Sequence, residues 1–296
     1  MSTSDLASST ESSGKELPVT VYTPDSALSD PKRLFREMVQ EFKESHELAV
    51  ALFRRDLKAQ FRQSILGYAW LFFPPVATTL VWFFLNSSGV VKVAETGIPY
   101  PAFVMIGTLL WQAFLDSLNK PITSLNASKA MLVKLNFPRI APVLAGIGEI
   151  TLISAVRLVL LIPVFVFAGM VPSWTIIFFP FAYLSMVLLG TAIGALLTPI
   201  GLLYTDIGRG ISVLGQFAMY ATPVVYPIAT AGLLSWVHAI NPVTYLIETG
   251  RATLAGGPFD VLPIACGVSA GAFVLLLIGW AIFHITVPRI IERMGM

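Results

Sequence analysis

Glu149 and Arg157 have the most to explain, because both stand inside an otherwise apolar stretch running from about Ile140 to Ala168. A charge near the middle of a bilayer costs about 2.5 to 3.5 kcal/mol even on lenient scales, so something must compensate each of them. They are eight positions apart, two helical turns or about 12 Å, and a direct pair between them does not follow. Two readings stay open: Glu149 lies near the cytoplasmic interface and pairs with a neighbouring helix, or one of the two lines a polar path through the membrane.

Other chemistry is excluded more readily. No segment matches the phosphate loop ending in Gly-Lys-Ser/Thr, and the Gly14-Lys15 pair is followed by Glu16, so ATP hydrolysis by this chain alone is not expected. His46, His238 and His284 fall in different predicted elements and suggest no metal site. Cys266 is the single cysteine, which rules out an internal disulfide. Gly267-Val-Ser-Ala-Gly271 has the spelling of a nucleophile elbow, but that motif works on a strand-to-helix turn, not within an apolar span. Like Gly190 to Gly194, it reads as Gly-xxx-Gly spacing for close helix approach. Asp116, Asp206 and Asp260 are isolated, so the acidic constellation of a membrane glycosyltransferase is missing.

The elements that must position these residues follow from hydropathy. The chain is 55% hydrophobic and 12% charged with a net charge of +2, too apolar to cover a soluble surface and too weakly basic for nucleic acid. A span needs about twenty mostly apolar residues. The uncharged stretches give spans at about Leu66–Leu85, Ile98–Leu118, Ile140–Ala168, a fourth ending near Ile200, Ile211–Tyr226 and Leu262–Val287. Ile228–Pro258 is half apolar and interrupted by Pro, Gly and Asn241-Pro242, and is expected to form re-entrant short helices, allowed where protein or water satisfies the backbone.

Residues 1–29 are polar, carry no signal-peptide pattern and are expected to be disordered. Asp30-Pro31 reads as a helix start. Beyond it Leu34, Met38, Phe42, Leu48, Leu52, Phe53, Leu57 and Phe61 recur at mostly four-residue spacing, an amphipathic helix broken once at most. Its Arg54, Arg55, Lys58 and Arg62 precede the first span and place residues 30–62 flat on the cytoplasmic leaflet.

Six spans put both termini on one side. That side holds Arg54, Arg55, Lys58, Arg62, Lys120, Lys129, Lys134, Arg139, Arg209, Arg289 and Arg293, against Lys92 and Arg251 opposite. By the positive-inside rule the termini are cytoplasmic. The fold class expected is therefore an all-α integral membrane protein with six transmembrane helices, an amphipathic interface helix and a re-entrant pair between spans five and six, with residues 63–296 forming the transmembrane domain. Aromatics crowd the first two spans, Tyr68, Trp70 and Trp111 among them, and suit interfacial anchoring or stacking against sugar rings.

Three stretches together resemble the ABC-2-type permeases that export polysaccharides such as O-antigen, capsule and teichoic acid. They are Leu52-Phe-Arg-Arg-Asp-Leu-Lys58 with Gln63-Ser-Ile-Leu-Gly-Tyr-Ala-Trp70 and Pro74; Trp111-Gln-Ala-Phe114 with Ser117, continuing to Lys134-Leu-Asn-Phe-Pro138; and Tyr204-Thr-Asp-Ile207 through Gln216 and Pro223-Val-Val-Tyr226 to Asn241-Pro242 and Arg251. The resemblance implies a transmembrane subunit of the bacterial inner membrane that acts as a homodimer. It has no cofactor of its own, its ATP and Mg are bound by a separate ATP-binding cassette subunit, and a lipid-linked glycan is its substrate.

It also implies that residues 126–137 form the ATPase-coupling segment, with Lys129, Met131, Leu132, Lys134, Leu135 and Phe137 in contact. The basic entry helix would help gate substrate entry, and Tyr68, Trp70, Trp111, Glu149, Arg157, Tyr220 and Tyr226 are candidates to line the path. The competing readings are a permease for a drug or lipid, a membrane enzyme and a membrane scaffold.

Overall fold

The computed structural model describes residues 31–62, 64–134, 137–229 and 231–295. The polar tail, Asp30, Leu135 and the side chain of Lys134 lie outside the described residues. The regular structure among the described residues is helical: α1 (Pro31–Phe61), α2 (Phe73–Ser87), α3 (Tyr100–Lys134), α4 (Ala141–Arg157), α5 (Leu161–Ala168), α6 (Phe179–Leu203), α7 (Asp206–Ala218), α8 (Leu233–Ile240), α9 (Pro242–Ala255) and α10 (Leu262–Gly295).

Among the described residues four helical stretches are long and apolar enough to cross a membrane: Tyr100–Leu132, Ala141–Ala168, Trp174–Leu203 and Leu262–Arg293. They correspond to the second, third, fourth and sixth spans expected from hydropathy. The segment read as span one is a 3-10 turn at Gly67–Leu71 followed by the 15-residue α2, and span five is the 13-residue α7 with a short turn at Met219–Ala221. At 1.5 Å per residue these α-helices reach only about 20 Å. Prolines and glycines cut both short: Pro74 and Pro75 start α2, and Pro223 follows α7.

Proline also shapes the Ala141–Ala168 stretch, where Leu158–Leu160 tightens to a 3-10 turn between α4 and α5. Pro163 has no N–H to bond the carbonyl of Val159, and its ring crowds that oxygen, so the regular ladder cannot continue there. α5 then stops at Gly169, whose φ of 62° is a left-handed cap.

The central pair is α3 against α6. A Cβ at Gly190 would collide with the carbonyl of Phe114, and one at Gly194 with that of Leu118, so the small residues let the two backbones touch. The same spacing at Gly267 and Gly271 meets open space within the chain. Around this contact lies a core of Ile106, Leu110, Met186, Leu246 and Ile247, all nearly inaccessible.

α1 is a single unbroken helix of 31 residues. It rests on the bundle through Ala49 and Leu52 against Ala141 and Ala145 of α4, and reaches α10 through Phe42 beside Trp280 and a 2.7 Å contact between Glu41 and His284. Asn241 accepts a 3.0 Å bond from the Val243 N–H, a side-chain cap that starts α9 with Pro242 at its first position. The connector is thus a pair of short helices.

Candidate functional site

α3 and α4 run antiparallel, and two ion pairs cross between them. Arg157 Nη1 lies 2.5 Å from Asp116 Oδ2, and Lys120 Nζ lies 2.7 Å from Glu149 Oε2. Asp116 and Lys120 are one turn apart on α3, which puts both on one face. Acid and base alternate down α3 and in the opposite sense along α4, so only one register pairs every charge. Gln112, a turn before Asp116, donates to its Oδ1 at 3.3 Å.

Arg157 is also bound to a third element, donating from Nε to the Leu71 carbonyl at 3.1 Å. That carbonyl belongs to the last residue of the turn leading into α2. The ladder therefore ties the entry turn, α3 and α4 together. Gly146 makes room for it: a Cβ there would press on the Lys120 side chain and the Ser124 hydroxyl.

The structure resolves the alternatives for the two embedded charges to this extent. Glu149 is buried and pairs with a neighbouring helix, and the half-buried Arg157 also pairs with one, though neither partner was assigned from sequence. Asp116, read as isolated, is the partner of Arg157. Lys120, counted among loop cations, lies inside α3, because that helix runs on for 35 residues to Lys134. The remaining distribution of Lys and Arg is still lopsided toward the end where α3 finishes and α4 begins.

At the opposite end Arg251, read as a loop residue, is buried on α9. Its guanidinium donates to the carbonyls of Pro223 and Val224 at 2.7 and 2.6 Å and pairs with Glu248 at 2.6 Å. It also lies 3.4 Å over the Phe103 ring, a cation–π contact. These bonds satisfy backbone carbonyls in the non-helical segment after α7, where Val224 and Val225 are fully buried. Gly107 is required, since a Cβ would strike the Val224 carbonyl and the guanidinium. Beside it opens a cavity of about 310 Å³ bordered by Thr96, Glu248, Arg251 and Asp260.

His238 on α8 is buried and stacks on Tyr226 with centroids 5.8 Å apart. Its Nδ1 accepts a 3.0 Å bond from the Ala229 N–H, so the neutral ring carries its proton on Nε2. Burial holds its pKa below the ordinary value, opposed in part by Glu248.

The other residues picked out by sequence divide by environment. Tyr68, Trp70 and Tyr220 are exposed, Trp70 edge-on to Phe73 and Tyr220 beside Trp82. The Tyr226 hydroxyl donates to the Tyr220 carbonyl. Trp111, by contrast, is buried in the core against Phe114. Arg54, Arg55, Lys58 and Arg62 are exposed, Arg55 bonding its neighbour Asp56.

In the 126–137 segment, α3 continues as helix to Lys134 instead of forming a separate loop. Lys129 and Met131 are half-buried, and Phe137 packs beside a cluster made by Leu125, Val143, Leu202, Phe283 and Val287. Leu132 is inside that cluster with 8% exposure, packed against the chain's own residues. Hydrophobicity alone does not tell an inward leucine from a docking one.

Known proteins with similar sequences bear on this geometry. Over 252 residues the chain is 29% identical to the O-antigen export system permease protein RfbA of Myxococcus xanthus, covering 82% of this chain and 93% of that protein. It is 26% identical over 248 residues to the O-antigen export system permease protein RfbA of Klebsiella pneumoniae, covering 80% and 91%. The polysialic acid transport protein KpsM of Escherichia coli is 21% identical over 254 residues, covering 79% and 91%. The model of the ABC-2 type transporter family matches residues 47–255, a span that holds the second half of α1, both ion-pair rungs and the Arg251 site. The chain belongs to the ABC-2 type transporter family.

Proposed function

We propose that this chain is the membrane-spanning subunit of an ABC exporter that moves a lipid-linked polysaccharide across the bacterial inner membrane. The observation that carries the reading is similarity along nearly the whole length of permeases named for O-antigen and polysialic acid transport. The chain is a transporter subunit and not an enzyme; ATP and Mg are used by a separate ATP-binding cassette subunit.

In this reading the chain crosses the membrane six times, α2 and α7 with their adjoining turns serving as the short first and fifth spans, and α8 and α9 forming a re-entrant pair at the periplasmic exit. Lys and Arg bias supports cytoplasmic termini. Two copies form the pathway. The exposed Gly267 and Gly271 face of α10 suits a second copy, and the exposed aromatics Tyr68, Trp70 and Tyr220 suit contact with the glycan. The ATPase docks below, on Lys129, Lys134 and the basic end of α1.

Transport follows from differential affinity: ATP binding by the partner favours one of two arrangements of this subunit, and hydrolysis restores the other. The ladder joining α3, α4 and the Leu71 turn makes a shift at the docking end move the entry turn as well. Depleting the protein in its host tests the function. Accumulation of a lipid-linked glycan on the cytoplasmic leaflet with loss of its surface form is the expected outcome. Unchanged surface glycan would leave the export of a drug or simple lipid as the reading.

A further inference from the structure

Between α1, α4, α6 and α10 lies an apolar groove of about 120 Å³, lined by Phe42, Val143, Ile147, Ala195, Leu276 and Trp280 among others. Phe283 is one of its walls and also borders a small polar recess made by Glu41, Arg139 and His284. The two spaces therefore adjoin across Phe283. From Ala141 to Ile147 along α4 is about 9 Å, a slot for part of one acyl chain.

The position matches a bilayer boundary. Arg139 is the last charge before the apolar run of α4, and Arg289 and Glu292 are the first after the apolar run of α10. A polar floor under an apolar shaft, open at one side, is how a site for an amphipathic molecule is built. The indole N–H of Trp280 is buried and has no partner among the described residues, a donor left over by the protein's own packing.

The floor carries both signs of charge. Arg139 makes one loose contact, 3.8 Å to the largely exposed Glu292, which leaves its planar fork open to a phosphate. Glu41 is held by His284 at 2.7 Å, and Glu292 stands beside Arg139. A headgroup with phosphate alone would bring a negative charge against two carboxylates, whereas one with phosphate and a primary amine meets a guanidinium and a carboxylate at once. We infer that this groove is a binding site for a phosphatidylethanolamine-type lipid from the surrounding leaflet, one acyl chain lying between α4 and α10 and the headgroup on Arg139 and Glu292. A lipid there would fasten α1, which closes the groove with Phe42, to the bundle.

The test uses the full chain in nanodiscs containing phosphatidylethanolamine or phosphatidylglycerol with a photoactivatable group on one acyl chain, with labelled peptides mapped by mass spectrometry. The expected result is labelling concentrated on residues 143–147 and 276–283 by the amine lipid. Arg139→Gln should cut it about ten-fold, the scale of one lost charge-assisted contact. Glu292→Gln should erase the preference for the amine lipid while keeping labelling. Labelling no stronger than at the exposed Phe217 of α7, or unmoved by Arg139→Gln, would overturn the site. Equal labelling by both lipids would overturn the headgroup assignment, and displacement by a lipid-linked glycan would assign the groove to transport substrate instead. The readout does not depend on export, so it stands apart from the function proposed above.

Discussion

Arg157 on α4 holds Asp116 on α3 at 2.5 Å and, through Nε, the carbonyl of Leu71 at 3.1 Å, so one guanidinium joins three elements that are distant in sequence. Removing one member of this half-buried pair leaves the other short of its partner, at a cost of about 1 to 3 kcal/mol. Arg157→Gln should lower the melting temperature of the purified protein and reduce surface glycan. Asp116→Asn with Arg157→Gln should recover much of the stability. A double variant as unstable as the single would show that the pair is not the source of the loss.

Gly194 and Gly271 share a motif but not an environment. Gly194→Leu must push α3 away from α6, and overpacking of this kind costs about 1 to 3 kcal/mol. Gly271→Leu should change the stability of the isolated chain by less than about 0.5 kcal/mol. If it also abolishes self-association in a crosslinking assay, the open face is where a second copy packs.

Two substitutions at the end of α3 should fail in different ways. Lys129→Asp should leave the melt unchanged while uncoupling ATP hydrolysis by the partner from export. Leu132→Asp buries a carboxylate in the chain's own cluster and should reduce the amount of folded protein, by the several kcal/mol expected of an unpaired buried charge. Measuring folded yield and ATPase activity together separates them.

Lysine cannot replace Arg251, because an ammonium lacks the planar fork that serves the Pro223 and Val224 carbonyls while lying flat on Phe103. Arg251→Lys should cost about 1.5 to 3 kcal/mol, the worth of a charged hydrogen bond. Hydrogen exchange of residues 222–229 should rise in the variant. Unchanged protection there would mean that the segment is held by the packing of Val224 and Val225 alone.

The His238 bond to the Ala229 N–H requires an unprotonated Nδ1. Because burial lowers the folded pKa below its ordinary 6.5, the stabilisation is present above that value and is lost as pH falls through the lower folded one. The Ala229 amide should lose exchange protection on acidification, once intrinsic rates are corrected, and His238→Gln should remove the pH dependence.

Much of the architecture was legible without coordinates. The apolar runs around α3, α4 with α5, α6 and α10 announce spans because a bilayer admits only backbone that bonds itself. The basic helix α1 and the prolines that end α7 and open α9 are local signals. The cost of charge in hydrocarbon was enough to single out Glu149 and Arg157.

Their partners were not legible. Asp116 and Lys120 become special only when α3 and α4 meet in one register, and that register is set by Gly146, by Gly190 and Gly194 against α3, and by the close packing they allow. For the same reason the burial of Leu132 in a cluster of the chain's own residues, of Trp111 against Phe114 and of Arg251 at an end of the bundle was not legible either. Sequence by itself determined which segments leave water, since hydropathy and backbone bonding act along the chain. Only the tertiary structure decided which charges meet and which identical motifs are filled, because pairing and packing depend on distances between segments that sequence spacing does not fix.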